Sequence, residues 1–196
     1  MVSLTKNQAV SLTKTTGSKL SEVSIGLGWD PIKKEKGFFG KIFGGSDAID
    51  LDASCILLTK DREELECIFF NQLQSACGSI QHQGDNLTGE GDGDDEVIHA
   101  NLAKLSDEVH YLAITVNSFR GQTFNEVENA FCRLVDKNGS EICRYQLADK
   151  GAHTGILIAS FCRQDDDWIF TAHGLPCKGR SIQEMIPEIR NALTTA

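Results

Sequence analysis

The chain contains no uninterrupted apolar stretch long enough to cross a bilayer, and its first 14 residues alternate polar and apolar side chains where a signal peptide would carry an apolar core. A cytoplasmic protein is therefore expected. Positive charge is also scarce: 19 Lys and Arg stand against 28 Asp and Glu, a formal net charge of −9. Such a field repels nucleic-acid phosphates and anionic lipid unless a local patch or a bound cation intervenes, so no nucleic-acid partner is expected. The sequence has no Gly-x-Ser-x-Gly or His-Glu-x-x-His motif, and His82, His99, His110, His153 and His173 are scattered. No catalytic residues are assigned and no enzymatic activity is expected. The seven cysteines form no Cys-x-x-Cys pair. An odd, widely spread set gives neither a zinc site nor a closed disulfide framework. Several lie inside apolar runs such as Cys55-Ile56-Leu57-Leu58, where cysteine acts as a small hydrophobe.

What is present is ordinary globular material: 196 residues, 40% apolar and 24% charged, enough for one domain spanning 1–196. Short apolar or alternating runs separated by turn signals predict an antiparallel β-sandwich or barrel. The near copies Ser3-Leu4-Thr5-Lys6 and Ser11-Leu12-Thr13-Lys14 suggest an N-terminal hairpin. In 23–29, Val23, Ile25 and Leu27 alternate with Ser24, Gly26 and Gly28, a half-buried strand whose bare glycine face admits close approach of another backbone or a ligand. Further strands are predicted at 53–58, 66–70, 79–83, 97–102, 111–116, 130–135, 142–147, 155–162 and 168–172, with turns at 136–139 and 164–167. Residues 181–193 predict a short C-terminal helix, with Ser181 and Glu184 as a capping box and Pro187 as the point where it kinks or restarts.

The most informative segment is Gly84-Asp85-Asn86-Leu87-Thr88-Gly89-Glu90-Gly91-Asp92-Gly93-Asp94-Asp95-Glu96, with six carboxylates and no Lys or Arg in 13 positions. Two carboxylates about 6 Å apart repel by roughly 0.7 kcal/mol at water's dielectric and several times more when partly desolvated. A hard divalent cation reverses that sign. Calcium accepts six to eight oxygens at flexible angles, and carboxylates, an amide, a hydroxyl and glycine-permitted turns are all at hand, with magnesium second because it demands a stricter octahedron. The segment is not an EF-hand: counted from Asp85, positions three, five and six are Leu87, Gly89 and Glu90. It occurs once, so it is not a tandem glycine-aspartate roll either. Asp50 and Asp52, at i and i+2 just before a predicted strand, put two more carboxylates on one side of an extended backbone. If strand pairing brings them and Asp30 to the acidic segment, there are oxygens for two ions.

These residues resemble the tellurium-resistance TerD family and, within it, the TerZ branch. The likeness is carried by Val2-Ser3-Leu4-Thr5-Lys6, Gly26-Leu27-Gly28-Trp29-Asp30, Asp50-Leu51-Asp52-Ala53-Ser54, the whole acidic segment, the run from Val116 to Gln122, and Asn129-Ala130-Phe131-Cys132-Arg133. It implies a two-sheet antiparallel β-sandwich with a short C-terminal helix that binds calcium, serves in stress response alongside other stress-resistance proteins of the same system, and carries no catalytic mechanism. The positions that inherit a metal-site expectation are Asp50, Asp52, Asp85, Asn86, Glu90, Asp92, Asp94, Asp95 and Glu96.

One basic, aromatic, glycine-rich stretch, 33–45, departs from the shorter link of the TerD branch and is expected to be a loop. Its Phe38, Phe39, Ile42 and Phe43, flanked by Lys36 and Lys41, suit a protein partner or packing on the domain itself. The alternative function is a calcium-dependent membrane-docking module, in which this loop inserts shallowly while calcium bridges the acidic end to anionic lipid.

Overall fold

The computed structural model describes residues 1–32, 49–84, 93–118, 120–148 and 150–193. The expected loop with Phe38, Phe39, Ile42 and Phe43 lies outside the described residues.

Two six-stranded sheets face each other. The first runs in the order β1 (Val2–Leu4), β10 (Glu141–Gln146), β9 (Val127–Asp136), β3 (Glu22–Pro31), β7 (Glu96–Asn101), β6 (Ile80–His82). The second runs β2 (Ala9–Ser11), β12 (Asp167–Cys177), β11 (Gly155–Gln164), β8 (Tyr111–Asn117), β4 (Asp52–Leu58), β5 (Glu64–Ile68). Period-two alternation explains the sandwich: Val23, Ile25 and Leu27 of β3, Cys132 and Leu134 of β9, Cys55 and Leu57 of β4, and Leu112, Ile114 and Val116 of β8 meet in one buried cluster between the sheets. The opposite face of the first sheet carries polar residues and glycines such as Ser24, Gly26 and Arg133, whereas that of the second sheet is apolar where Ile56, Leu58, Ala113 and Leu157 lie.

The two N-terminal near copies do not pair with each other. Strand β1 runs parallel to β10, with Val2 opposite Cys143 and Leu4 opposite Tyr145, whereas β2 runs antiparallel to β12 on the other sheet. The second copy then turns into a short helix, α1 (Leu12–Thr16). Ser11 caps it by accepting from the Lys14 N–H at 3.0 Å, and Asp167 accepts from the Thr13 N–H at 3.1 Å and from the hydroxyls of Ser11 and Thr13. Tertiary partners thus override local repetition, and the N-terminus covers an edge of each sheet.

Helix α2 (Ile182–Ala192) lies on the outer face of the second sheet, where Ile182, Met185 and Ile189 pack with Ile56, Leu58, Ala113, Leu157 and Cys177. It continues through Pro187 without restarting there. The capping box also does not form: the Glu184 carboxylate accepts from the Arg180 N–H at 2.7 Å, and the Ser181 side chain makes no cap bond. Burial of one apolar stripe offsets the lost proline hydrogen bond. The two predicted turns hold, with Gly139 at φ 81° and Asp165 at φ 52°. No helix among the described residues is long and apolar enough to cross a membrane.

The antiparallel order gathers the last residues of β3, β6 and β8 and the first residues of β4, β7 and β9 at one end of the sandwich, as the pairings Leu27 with Glu96, Asp52 with Asn117 and Pro31 with Val127 require. Most of the sequence's singled-out acids sit at this end.

Candidate metal centre at the acidic end

Asp50 and Asp52 flank the entry to β4 and are each only 7% exposed. A carboxylate withdrawn from water needs a positive group or several donors around it. For Asp50 part of that role falls to Arg120, whose Nε donates to Oδ2 at 2.8 Å. Asp52 stands opposite Asn117 in the β4–β8 ladder.

Glu96 opens β7 on the facing sheet and is buried. Its Oε2 accepts from the backbone N–H of Ala53 at 2.8 Å, a bond that crosses between the sheets beside Asp52. The same oxygen lies 3.2 Å from His82 Nε2. His82 Nδ1 accepts from the Gly84 N–H at 3.1 Å. One imidazole thus sits between the residue that starts the acidic segment and the residue that ends it.

Asp95 extends the β3–β7 ladder, its N–H donating to the Leu27 carbonyl at 2.8 Å, and its Oδ2 accepts from the Trp29 N–H at 2.7 Å. Burial pushes its carboxyl above the ordinary carboxylate range; the Trp29 bond opposes this, and the charges of Asp30 and Asp94 add to the rise. Asp30 is held by the Asn129 side-chain amide at 2.7 Å. Asn129 adopts the left-handed conformation, φ 54°, inside β9 next to the register shift between Gly28 and Asp30. Asp94 turns away onto the outer face of the first sheet, where Arg133 binds both of its oxygens.

Of the nine residues expected to hold metal, Asp85, Asn86, Glu90 and Asp92 lie outside the described residues. The other five, Asp50, Asp52, Asp94, Asp95 and Glu96, lie at or beside the same end. Among the described residues no group of three His, Cys, Asp or Glu side chains is arranged to hold a metal ion. The donor chemistry nevertheless suits a hard cation: the acids at this end present oxygen only, the carboxylates of Asp50, Asp52 and Glu96 are already buried, and no thiol is among them. The thiols are elsewhere and mostly inert. Burial drives those of Cys55 and Cys132 far above the ordinary range and those of Cys67 and Cys143 up to about 12. Exposed Cys77 is shifted the other way, chiefly by its hydrogen bond with the Ser79 hydroxyl.

Arg120, Arg133, His82 and Asn129 were not legible as parts of this end. Arg120, Asn129 and Arg133 lie in runs that carry only the family likeness and His82 is one of the scattered histidines; the bare glycine face of β3 alone hinted that something lies across it.

The family model described as the TerD domain matches residues 1–188. The chain is 56% identical over 193 residues to Tellurium resistance protein TerZ of Serratia marcescens, covering 98% of this chain and 99% of that protein. It is 39% identical over 194 residues to Stress response protein SCP2 of Bacillus subtilis, covering 94% and 97%. The crystal structure of a homologue of telluride resistance protein from Streptomyces coelicolor A3(2) shares the fold, with a TM-score of 0.67 at 19% identity over 84% of this chain and 94% of that one. Full-length likeness in sequence and in architecture lead to one conclusion: the chain belongs to the TerD family, whose members include tellurium-resistance and stress-response proteins.

Proposed function

We propose that this chain is a calcium-binding stress-response protein of the tellurite-resistance type, acting without catalysis as a metal-responsive scaffold for other stress-resistance proteins of its system. The observation that carries the proposal is the pair of buried carboxylates, Asp50 and Asp52, at the same end as Asp30 and Asp95 and as both flanks of the acidic segment. Asp50, Asp52 and Asp95 would hold calcium together with Asp85, Asn86, Glu90 and Asp92, with oxygens enough for two ions. When bound, the cation neutralises carboxylates that otherwise repel one another and orders the acidic end. The protein's own part is to keep the donors in place. Glu96 ties the two sheets behind them, His82 accepts from the Gly84 N–H at the start of the acidic segment, and Asn129 orients Asp30.

Binding only to the folded chain stabilises it by about 2.7 kcal/mol at a hundred times the dissociation constant. A thermal melt of the full chain in calcium, in magnesium and in chelator, beside calorimetric stoichiometry, tests the proposal. A calcium-specific rise in melting temperature is expected. Identical curves in all three conditions would overturn it.

A further inference from the structure

The outer face of the first sheet carries a continuous charged ladder ending on the acidic segment. Asp94 Oδ1 accepts from Arg133 Nε at 2.7 Å and Oδ2 from Arg133 Nη2 at 2.9 Å. Arg133 Nη1 donates to Glu141 Oε2 at 3.2 Å, and Glu141 in turn accepts from Arg144 Nε at 2.9 Å and Nη2 at 2.8 Å. The Arg144 guanidinium sits 4.3 Å above the Phe131 ring. Arg133 and Arg144 face each other in the β9–β10 ladder, so strand register, not chance side-chain contact, builds the array.

The seat beneath Asp94 is bare backbone. Gly26 shares a rung with Arg133 on one side and Val97 on the other, and a Cβ there would collide with the Asp94 carboxylate. A Cβ on Gly28 would strike the Phe131 ring and come within 2.7 Å of the Gly93 carbonyl oxygen. Neither glycine has a positive φ, so close approach is what they provide. The Asp94 side chain is only 14% exposed. A solvated surface ion pair needs neither a cleared seat nor a two-pronged, nearly buried carboxylate.

We infer that Asp94 is not a metal ligand but a strap: with Arg133 it pins the C-terminal arm of the acidic segment to the outer face of the first sheet, making both positioning residues for Asp95 and the donors before it. A metal bound through Asp94 would have to share oxygens that both already accept from a guanidinium, and would set that positive charge beside the cation. The effect on calcium rests on the function proposed above; the strap itself does not.

Two measurements on the full chain test this. In chelator, hydrogen exchange of the Asp95 amide, bonded to the Leu27 carbonyl, reports the strap without metal. Asp94→Asn, Arg133→Gln and Gly26→Ala, which keeps both charged groups but pushes the carboxylate off its seat, should each speed that exchange by about tenfold. Unchanged exchange in Arg133→Gln and Gly26→Ala would overturn the strap. By calorimetry with calcium, the three variants should each weaken binding by about tenfold at unchanged stoichiometry, and Asp94→Asn combined with Arg133→Gln should be no worse than either alone, because the pair acts as a unit. If Asp94 is instead a ligand, Arg133→Gln frees it and tightens calcium binding while Asp94→Asn lowers the stoichiometry, and the inference fails. A wild-type chain that gives no calcium heat removes the proposed function, while the exchange measurement still decides the strap.

Discussion

His82 Nε2 lies 3.2 Å from Glu96 Oε2, with both side chains 1% exposed, and the oxygen that faces the imidazole is the one that accepts the Ala53 N–H from the opposite sheet. A single buried carboxylate therefore fastens the sheets together, and the imidazole beside it accepts from the Gly84 N–H at the start of the acidic segment. Glu96→Ala would leave the buried Ala53 donor without its acceptor. Removing one partner of a buried bond costs about 1–3 kcal/mol, more when a charge is involved. A drop of about 2–3 kcal/mol in urea unfolding is expected, with a smaller loss for Glu96→Gln, whose carbonyl can still accept from Ala53.

Arg120 donates to Asp50 with its own guanidinium 57% exposed, so the pair is half open to solvent and exchangeable. Replacing it by glutamine should lower the melting temperature in chelator, because a buried carboxylate loses its cationic neighbour. In calcium the same variant should bind several-fold more tightly, since the carboxylate no longer has to leave Arg120. Calorimetry and melts on Arg120→Gln check both signs. Weaker calcium binding would show that Arg120 helps to hold the site and does not compete for it.

His173 is buried on β12, with Nε2 2.8 Å from the Ser160 hydroxyl oxygen. Burial lowers its pKa from 6.5 to about 4. Between those values the unfolded chain holds a proton that the folded chain does not, so stability is complete above about pH 6.5 and falls as pH drops toward 4. The loss amounts to about 3 kcal/mol at most. His173→Gln should flatten the urea midpoint between pH 6.5 and 4.5 relative to wild type. A difference between the two proteins that does not change over that window would refute the assignment.

Pro187 is exposed in the middle of α2, where it removes one helical hydrogen bond and crowds the carbonyl four residues earlier. An interior proline costs about 3 kcal/mol, partly offset by the stiffness it lends the unfolded chain. Pro187→Ala should raise stability by about 1–2 kcal/mol in a thermal melt. No gain would mean that α2 is already bent enough to accommodate the ring.

Much of the fold was legible before any coordinates. The alternation of Val23, Ile25 and Leu27 with Ser24, Gly26 and Gly28 marked β3 and its two faces, and the runs around Cys55, Leu112 and Leu134 marked central strands. Asp136 to Gly139 and Gln164 to Asp167 marked the hairpins. The misreadings came where identical local text met different partners. Ser3-Leu4-Thr5-Lys6 and Ser11-Leu12-Thr13-Lys14 look like one hairpin, yet the first pairs with Arg144 and Tyr145 of β10 and Asp167 holds the second. Glu184 fits a capping box, yet the Arg180 N–H takes its carboxylate.

By itself the sequence determined the composition of the acidic end, an oxygen-rich, lysine-free segment with a second pair of aspartates before a strand, and a period-two pattern that calls for a sandwich or a barrel. Those properties are local, set by residue type and spacing within a few positions. Only the tertiary structure decided how the carboxylates divide. Glu96 is taken by Ala53, 43 residues away, Asp94 by Arg133, 39 residues away, and Asp50 by Arg120. A carboxylate's role depends on which donor the register of distant strands brings within about 3 Å, and no local pattern encodes that distance.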